Sequence, residues 1–85
     1  MNRFHSTEIK EPVKVGAVFE NASVKPKWFI WNSKKHSLEK ITYTWTDKDK
    51  GQKVICFSVW DGTDIYELSF NVKFCTWRLE KVYYE

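Results

Sequence analysis

The chain has few of the residues that usually mark a functional motif. Of its 85 residues, three are glycine, two proline, two cysteine and two arginine. Three scattered glycines, Gly16, Gly51 and Gly62, exclude a phosphate-binding loop, a dinucleotide fingerprint and a nucleophile elbow, which cluster glycines within one turn. Cys56 and Cys75 cannot form a disulfide framework. Neither has a second Cys or His at metal-ligand spacing, so a zinc site is not expected and no cofactor is implied. Arg3 and Arg78 stand against twelve lysines, which disfavours base-specific DNA readout, because that relies on the bidentate guanidinium fork. No apolar run approaches the ~20 residues of a membrane span. The segment Met1–Glu8 has no apolar core of the secretory type. The expectation is a soluble cytoplasmic domain without a membrane partner.

What is present is apolar and aromatic. Hydrophobic residues make up 42% of the chain and aromatics 18%, with five tryptophans. That is too apolar for a disordered chain, and 85 residues allow one small domain. The net charge of +3 is unevenly spread. Residues 1–40 hold eight Lys/Arg and four Glu, whereas residues 41–85 hold six Lys/Arg and seven Asp/Glu. The basic half suits either a polyanion or a solvated lysine surface that resists edge-to-edge aggregation.

The hydrophobic period is two, not 3.6. Residues 1–11 are polar and read as a flexible N-terminal tail, leaving 12–85 as a single β domain. Val13, Val15, Ala17 and Phe19 alternate with more polar neighbours. Asn21-Ala22 is a turn, Val24 to Trp31 is a second strand, and Asn32-Ser33 is the next turn. A long third strand, Lys34 to Thr46, ends in Ile41-Thr42-Tyr43-Thr44-Trp45-Thr46, where bulky residues alternate with threonine. A loop over 47–51 leads to a fourth strand, Lys53 to Trp60. Asp61-Gly62 is the strongest hairpin signal, since a type I′ turn needs positive φ at both central residues. Thr63–Phe70 and Phe74–Tyr83 complete a six-strand antiparallel meander. Short helices over Ser33–Lys40 or Thr76–Tyr84 are disfavoured by the aromatic and β-branched content.

Hairpin registers follow from these turns, and opposing residues share a face. They place Phe57 opposite Tyr66, Ile55 opposite Leu68, Trp45 opposite Lys53 and Leu68 opposite Trp77. One face then collects Ile41, Tyr43, Trp45, Ile55, Phe57, Tyr66, Leu68, Phe70, Trp77 and Leu79, joined by Val13, Val15, Ala17, Phe19, Val24, Trp28 and Ile30. Without a helix to cover it, this face must curl the sheet into a small closed or half-open barrel, or pack on a second copy.

The same registers put Lys25, Lys27, Phe29 and Trp31 together on the other face, with Lys34 and His36 beside them. Exposed aromatics among lysines suit base stacking and phosphate attraction, and they equally suit a protein hot spot. A bulge near Glu39-Lys40 would instead turn Phe29, Trp31 and Leu38 into the core. Asp61 with Asp64 as a metal pair, and His36 with Glu39 as a base, are discounted as a turn aspartate and as residues on opposite faces. No nucleophile, base and oxyanion donor converge, so no enzyme is expected.

Phe29-x-Trp31-Asn32-Ser33-Lys34-Lys35, Tyr43-x-Trp45 and Trp77-Arg78-Leu79-Glu80-Lys81-Val82 resemble small bacterial proteins of unknown function that carry an F-x-W-x-G-[KR] hairpin and a W-x-L-E-x-V tail. The resemblance covers residues 13–83, with Ser33 where such proteins often have glycine and His36 where an aromatic is common. It implies a small β domain and lends no catalytic residue. The reading is therefore a non-catalytic protein-binding or self-associating module, with single-stranded nucleic-acid binding as the alternative.

Overall fold

The structure, a computed structural model, describes residues 5–84. These form eight strands and no helix: β1 (His5–Pro12), β2 (Lys14–Glu20), β3 (Ser23–Trp31), β4 (Lys34–Ser37), β5 (Lys40–Asp49), β6 (Gln52–Trp60), β7 (Ile65–Asn71) and β8 (Thr76–Tyr84). They lie in two antiparallel sheets, a five-stranded one in the order β1-β8-β7-β6-β5 and a three-stranded one in the order β2-β3-β4. The all-β reading holds. The six-strand barrel does not, because the two sheets are not hydrogen-bonded into one closed ladder.

The chain changes sheet at two corners. At the first, Val13 separates β1 from β2, and its N–H donates to the Trp77 carbonyl. At the second, Leu38 and Glu39 separate β4 from β5. The Leu38 N–H donates to Lys27 of the small sheet, and the Glu39 N–H donates to Trp60 of the large one. What reads as a single long third strand is thus two strands bent across a corner. A cleft of about 410 Å³ remains between Ser23–Lys27 of β3 and the start of β5, floored by Phe57. Pro26 lies in that stretch of β3, beyond the residues that pair with β4, where its missing N–H costs no ladder bond.

The polar segment read as a loose tail is instead an edge strand. From His5 onward it pairs with β8, with only Ile9 half-buried. Its main-chain bonds come from the unpaired side of β8, so it needs no apolar face of its own. Met1–Phe4 lie outside the described residues.

Three hairpins turn on two residues with positive φ, the type I′ geometry. These are Asn21-Ala22, Asn32-Ser33 and Lys50-Gly51. Asp61-Gly62 is not one of them. Trp60 pairs with Ile65 across a four-residue loop. The Asp61 carboxylate accepts the N–H groups of Thr63 at 2.9 Å and Asp64 at 2.8 Å, which holds the wider loop open. Phe57 therefore faces Leu68, and Tyr66 faces Val59. The turn before β8 is likewise longer than expected, so Leu68 faces Leu79 and Phe70 faces Trp77. Both shifts are of two residues, which preserves the face. The β5–β6 shift is of three. It pairs Trp45 with Cys56 and Thr44 with Phe57, and it turns Tyr43 and Trp45 out of the core. A bulge at Thr42 restores Ile41 to the inner face opposite Val59.

The core lies between the sheets. Phe57, Val59, Tyr66, Leu68, Phe70, Trp77 and Leu79 of the large sheet meet Val24 and Phe29 of the small one. Trp77 packs with its centroid 4.8 Å from Phe70 and 5.7 Å from Phe57. Burying these rings removes the largest apolar areas in the chain from water, and aromatic area of this kind dominates the stability of small cores.

Candidate binding surface

A bulge in β3 decides the fate of the expected basic-aromatic face. β2 and β3 stay in simple register from Glu20 opposite Ser23 to Ala17 opposite Pro26. The next pair is Gly16 with Trp28, leaving Lys27 as the extra residue. An extra residue in a strand reverses which face its later side chains occupy. Beyond Lys27, therefore, Phe29 and Trp31 point inward while Trp28 and Ile30 point outward. The bulge does what a bulge near Glu39-Lys40 was expected to do, from a different place in the chain.

The expected site therefore comes apart. Phe29 is fully buried. Trp31 is half-buried against the core, and its indole N–H is buried with no partner among the described residues. His36 stacks on Phe29 with ring centroids 4.7 Å apart and planes 10° from parallel. Lys25, Lys27 and Lys34 are exposed; Lys34 still opposes Trp31 across the β3–β4 hairpin, but Lys25, before the bulge, no longer shares a face with the two aromatics.

His36 belongs to an internal polar cluster. Its Nδ1 lies 3.2 Å from Asp61 Oδ2 and 3.4 Å from the Tyr66 hydroxyl. A carboxylate only accepts, so Nδ1 carries the proton toward it. Burial alone would raise the Asp61 pKa. Hydrogen bonds from the amides of Asp64 and Thr63, then from His36 and Tyr66, outweigh that and hold it below 3.8. Burial, followed by the charges of Asp61 and Asp64, pushes the Tyr66 phenol upward. The cluster ties β4 to the β6–β7 loop and joins the sheets at one end. Asp61 and His36 are 25 residues apart, and no local pattern announces their meeting.

Two of the exposed surfaces present aromatic side chains in a setting that suits a partner. The first is the outer edge of β5. Among the described residues β5 pairs only with β6. Tyr43 is 66% exposed and stacks on half-buried Trp45 at 5.5 Å. Charges occur only at the strand's ends: Lys40 at its start, and Asp47, Lys48 and Asp49 at its finish. The other edge strand of that sheet, β1, carries Glu8, Lys10 and Glu11 along its length.

The second surface is the outer face of the three-stranded sheet. The Trp28 indole lies directly over Gly16, so close that a methyl group at position 16 would collide with the ring. The φ of Gly16 is not positive. Close approach of the ring, and not backbone conformation, is what calls for glycine there. The Lys35 ammonium sits 5.0 Å from the Trp28 ring centroid. Lys14, Ile30 and Lys35 form the adjacent cross-strand row.

On the outer face of the large sheet, Cys56 is buried among Glu67, Asp47 and Glu80. Burial first, then these three charges, push its thiol up to about 11. Cys75 is exposed in the β7–β8 turn, and both cysteines are free. Among the described residues no three His, Cys, Asp or Glu side chains converge as metal ligands, and no helix is long and apolar enough to cross a membrane.

Comparison with protein-family models, with curated proteins and with solved structures gives no match for this chain.

Proposed function

We propose that this protein is a non-catalytic assembly module that pairs with a second copy of itself along the edge of β5. The observation that carries the reading is the stacked Tyr43–Trp45 pair on a ten-residue edge strand whose centre, Ile41–Thr46, bears no charge. An edge strand offers a row of unpaired N–H and C=O groups, and proteins normally blunt such edges with charge. β1 is blunted in that way and the middle of β5 is not. Antiparallel pairing of β5 with its own copy consumes that edge from both chains and closes on a two-fold dimer. Aromatic residues at the centre of such a contact carry most of its binding energy. The two free thiols suit a reducing, cytoplasmic setting.

Sedimentation velocity over a concentration series from about 1 to 500 µM tests the reading. The expected result is a monomer–dimer equilibrium that is abolished in Tyr43→Lys and weakened at least tenfold in Trp45→Ala, with thermal melts unchanged for Tyr43→Lys. A wild-type protein that stays monomeric throughout overturns it, as does a dimer indifferent to both substitutions.

A further inference from the structure

The outward face of the three-stranded sheet is built differently from the rest of the surface. Its side chains form cross-strand rows: Lys14, Ile30 and Lys35, then Gly16, Trp28 and Ser37, then Val18 and Lys25. The bulged Lys27 is exposed beside them. Glu20, in the last pair before the hairpin turn, is its only acid among the described residues. Strands lie ~4.8 Å apart, so Lys14 and Lys35 stand about 10 Å apart on either side of β3.

Trp28 is the centre of this face. One side of its indole rests on Gly16. The Lys35 ammonium lies over the ring, 5.0 Å from its centroid, a cation held by the ring's negative face at the end of a long exposed side chain. A glycine floor, a flat ring above it and mobile cations around it leave the ring free to stack on another flat group while the lysines meet negative charge.

We infer that this face binds single-stranded nucleic acid, with one base stacked on Trp28 and the backbone phosphates held by Lys14, Lys25, Lys27 and Lys35. Single strands are favoured over duplex because a base must be unstacked to reach the ring. Lysines, as point charges without the bidentate fork, hold the backbone and do not read base edges, so binding is tolerant of sequence. The site is separate from the β5 edge and does not depend on dimer formation.

Fluorescence anisotropy of a fluorescein-labelled 15-nucleotide oligothymidylate at 20 and 200 mM salt tests the inference. Four phosphate contacts give a slope of log K against log salt of about −2.8, a loss of roughly 600-fold over that tenfold range. Lys14→Glu with Lys35→Glu should weaken binding at least tenfold at 20 mM salt and flatten the slope by about 1.4. Trp28→Leu should weaken it about 5- to 150-fold at both salts, with the slope unchanged, and Trp28→Phe should keep most of the affinity. Should Trp28→Leu not fold, the lysine pair and Trp28→Phe still decide the matter. Tyr43→Lys should leave binding intact, which separates this site from the dimer edge. The inference fails if no binding appears at 20 mM salt with 100 µM protein. It fails equally if Trp28→Leu binds like wild type, or if duplex DNA or polyglutamate of matched charge competes as well as the oligonucleotide. Either result would reduce the face to a generic polyanion surface or an acidic-peptide site.

Discussion

Gly16 and Trp28 form a pair whose energetics can be separated by a double-mutant cycle. In the native chain a methyl group at position 16 meets the indole ring, so Gly16→Ala must lift the ring or distort β2. Overpacking of this kind costs about 1–3 kcal/mol. Trp28→Ala forfeits the ring's burial. A fully buried tryptophan costs ~3–5 kcal/mol on truncation, and half-exposed Trp28 should cost about half of that. In the Trp28→Ala background the obstacle at position 16 is gone. Gly16→Ala should then stabilise by about 0.5–1 kcal/mol, the ordinary gain from replacing a mid-strand glycine. The sign of the Gly16→Ala effect thus reverses between backgrounds, and the coupling is about 1.5–4 kcal/mol. Urea unfolding of the four proteins, with midpoints and slopes fitted separately, measures it. A Gly16→Ala cost that agrees within about 0.5 kcal/mol in the two backgrounds would show independent sites. The account of the glycine floor beneath Trp28 would then be wrong.

Two further predictions follow from ionisable groups. Asp61 has a folded pKa below its unfolded 3.8, so the stability it contributes is present above that value and is lost as pH falls through the lower folded pKa. The gap in urea midpoint between wild type and Asp61→Asn should be widest at neutral pH and shrink below about pH 4, and a constant gap down to pH 2.5 would refute the assignment. Cys56, pushed up to about 11 by burial and its acidic neighbours, should resist a thiol-disulfide reagent at pH 8 while exposed Cys75 reacts at once. One fast equivalent in the native protein and a second only in denaturant is the expected count, and two fast equivalents would contradict the placement of Cys56.

The face of most of the large sheet is legible in the residues because errors of two positions in hairpin register leave side chains on the same side. That is why Phe57, Leu68, Phe70, Trp77 and Leu79 sit in the core although none has the expected partner. Odd errors are not forgiven. At β5 the loop contracts to Lys50-Gly51, the register moves by three, and Tyr43 and Trp45 leave the core for the outer face. At Lys27 one bulged residue does the same to β3, burying Phe29 and turning half-buried Trp28 outward. Neither event has a local signature, since Lys27 is an ordinary strand residue in the sequence. The Asp61 loop misleads for another reason. A tight Asp-Gly turn and a wider loop organised by the aspartate carboxylate share one dipeptide, and the Asp61 carboxylate that organises the wider one is also bonded by His36, 25 residues away on β4. The candidate site inherits these errors. The association of lysines with a tryptophan is present, but the tryptophan is Trp28 in place of Trp31.

The corner at Leu38 and Glu39 has a consequence for how the molecule opens. Two neighbouring amides donate to different sheets, one to Lys27 and the next to Trp60. Native-state amide hydrogen exchange resolves the free energy of local and subglobal opening residue by residue. At this corner it therefore reports on both sheets at consecutive positions of one chain. If the small sheet detaches while the large one persists, the Leu38 amide exchanges ahead of its neighbour. If His36, Asp61 and the shared aromatic core bind the sheets into one cooperative unit, the two amides exchange with the same free energy.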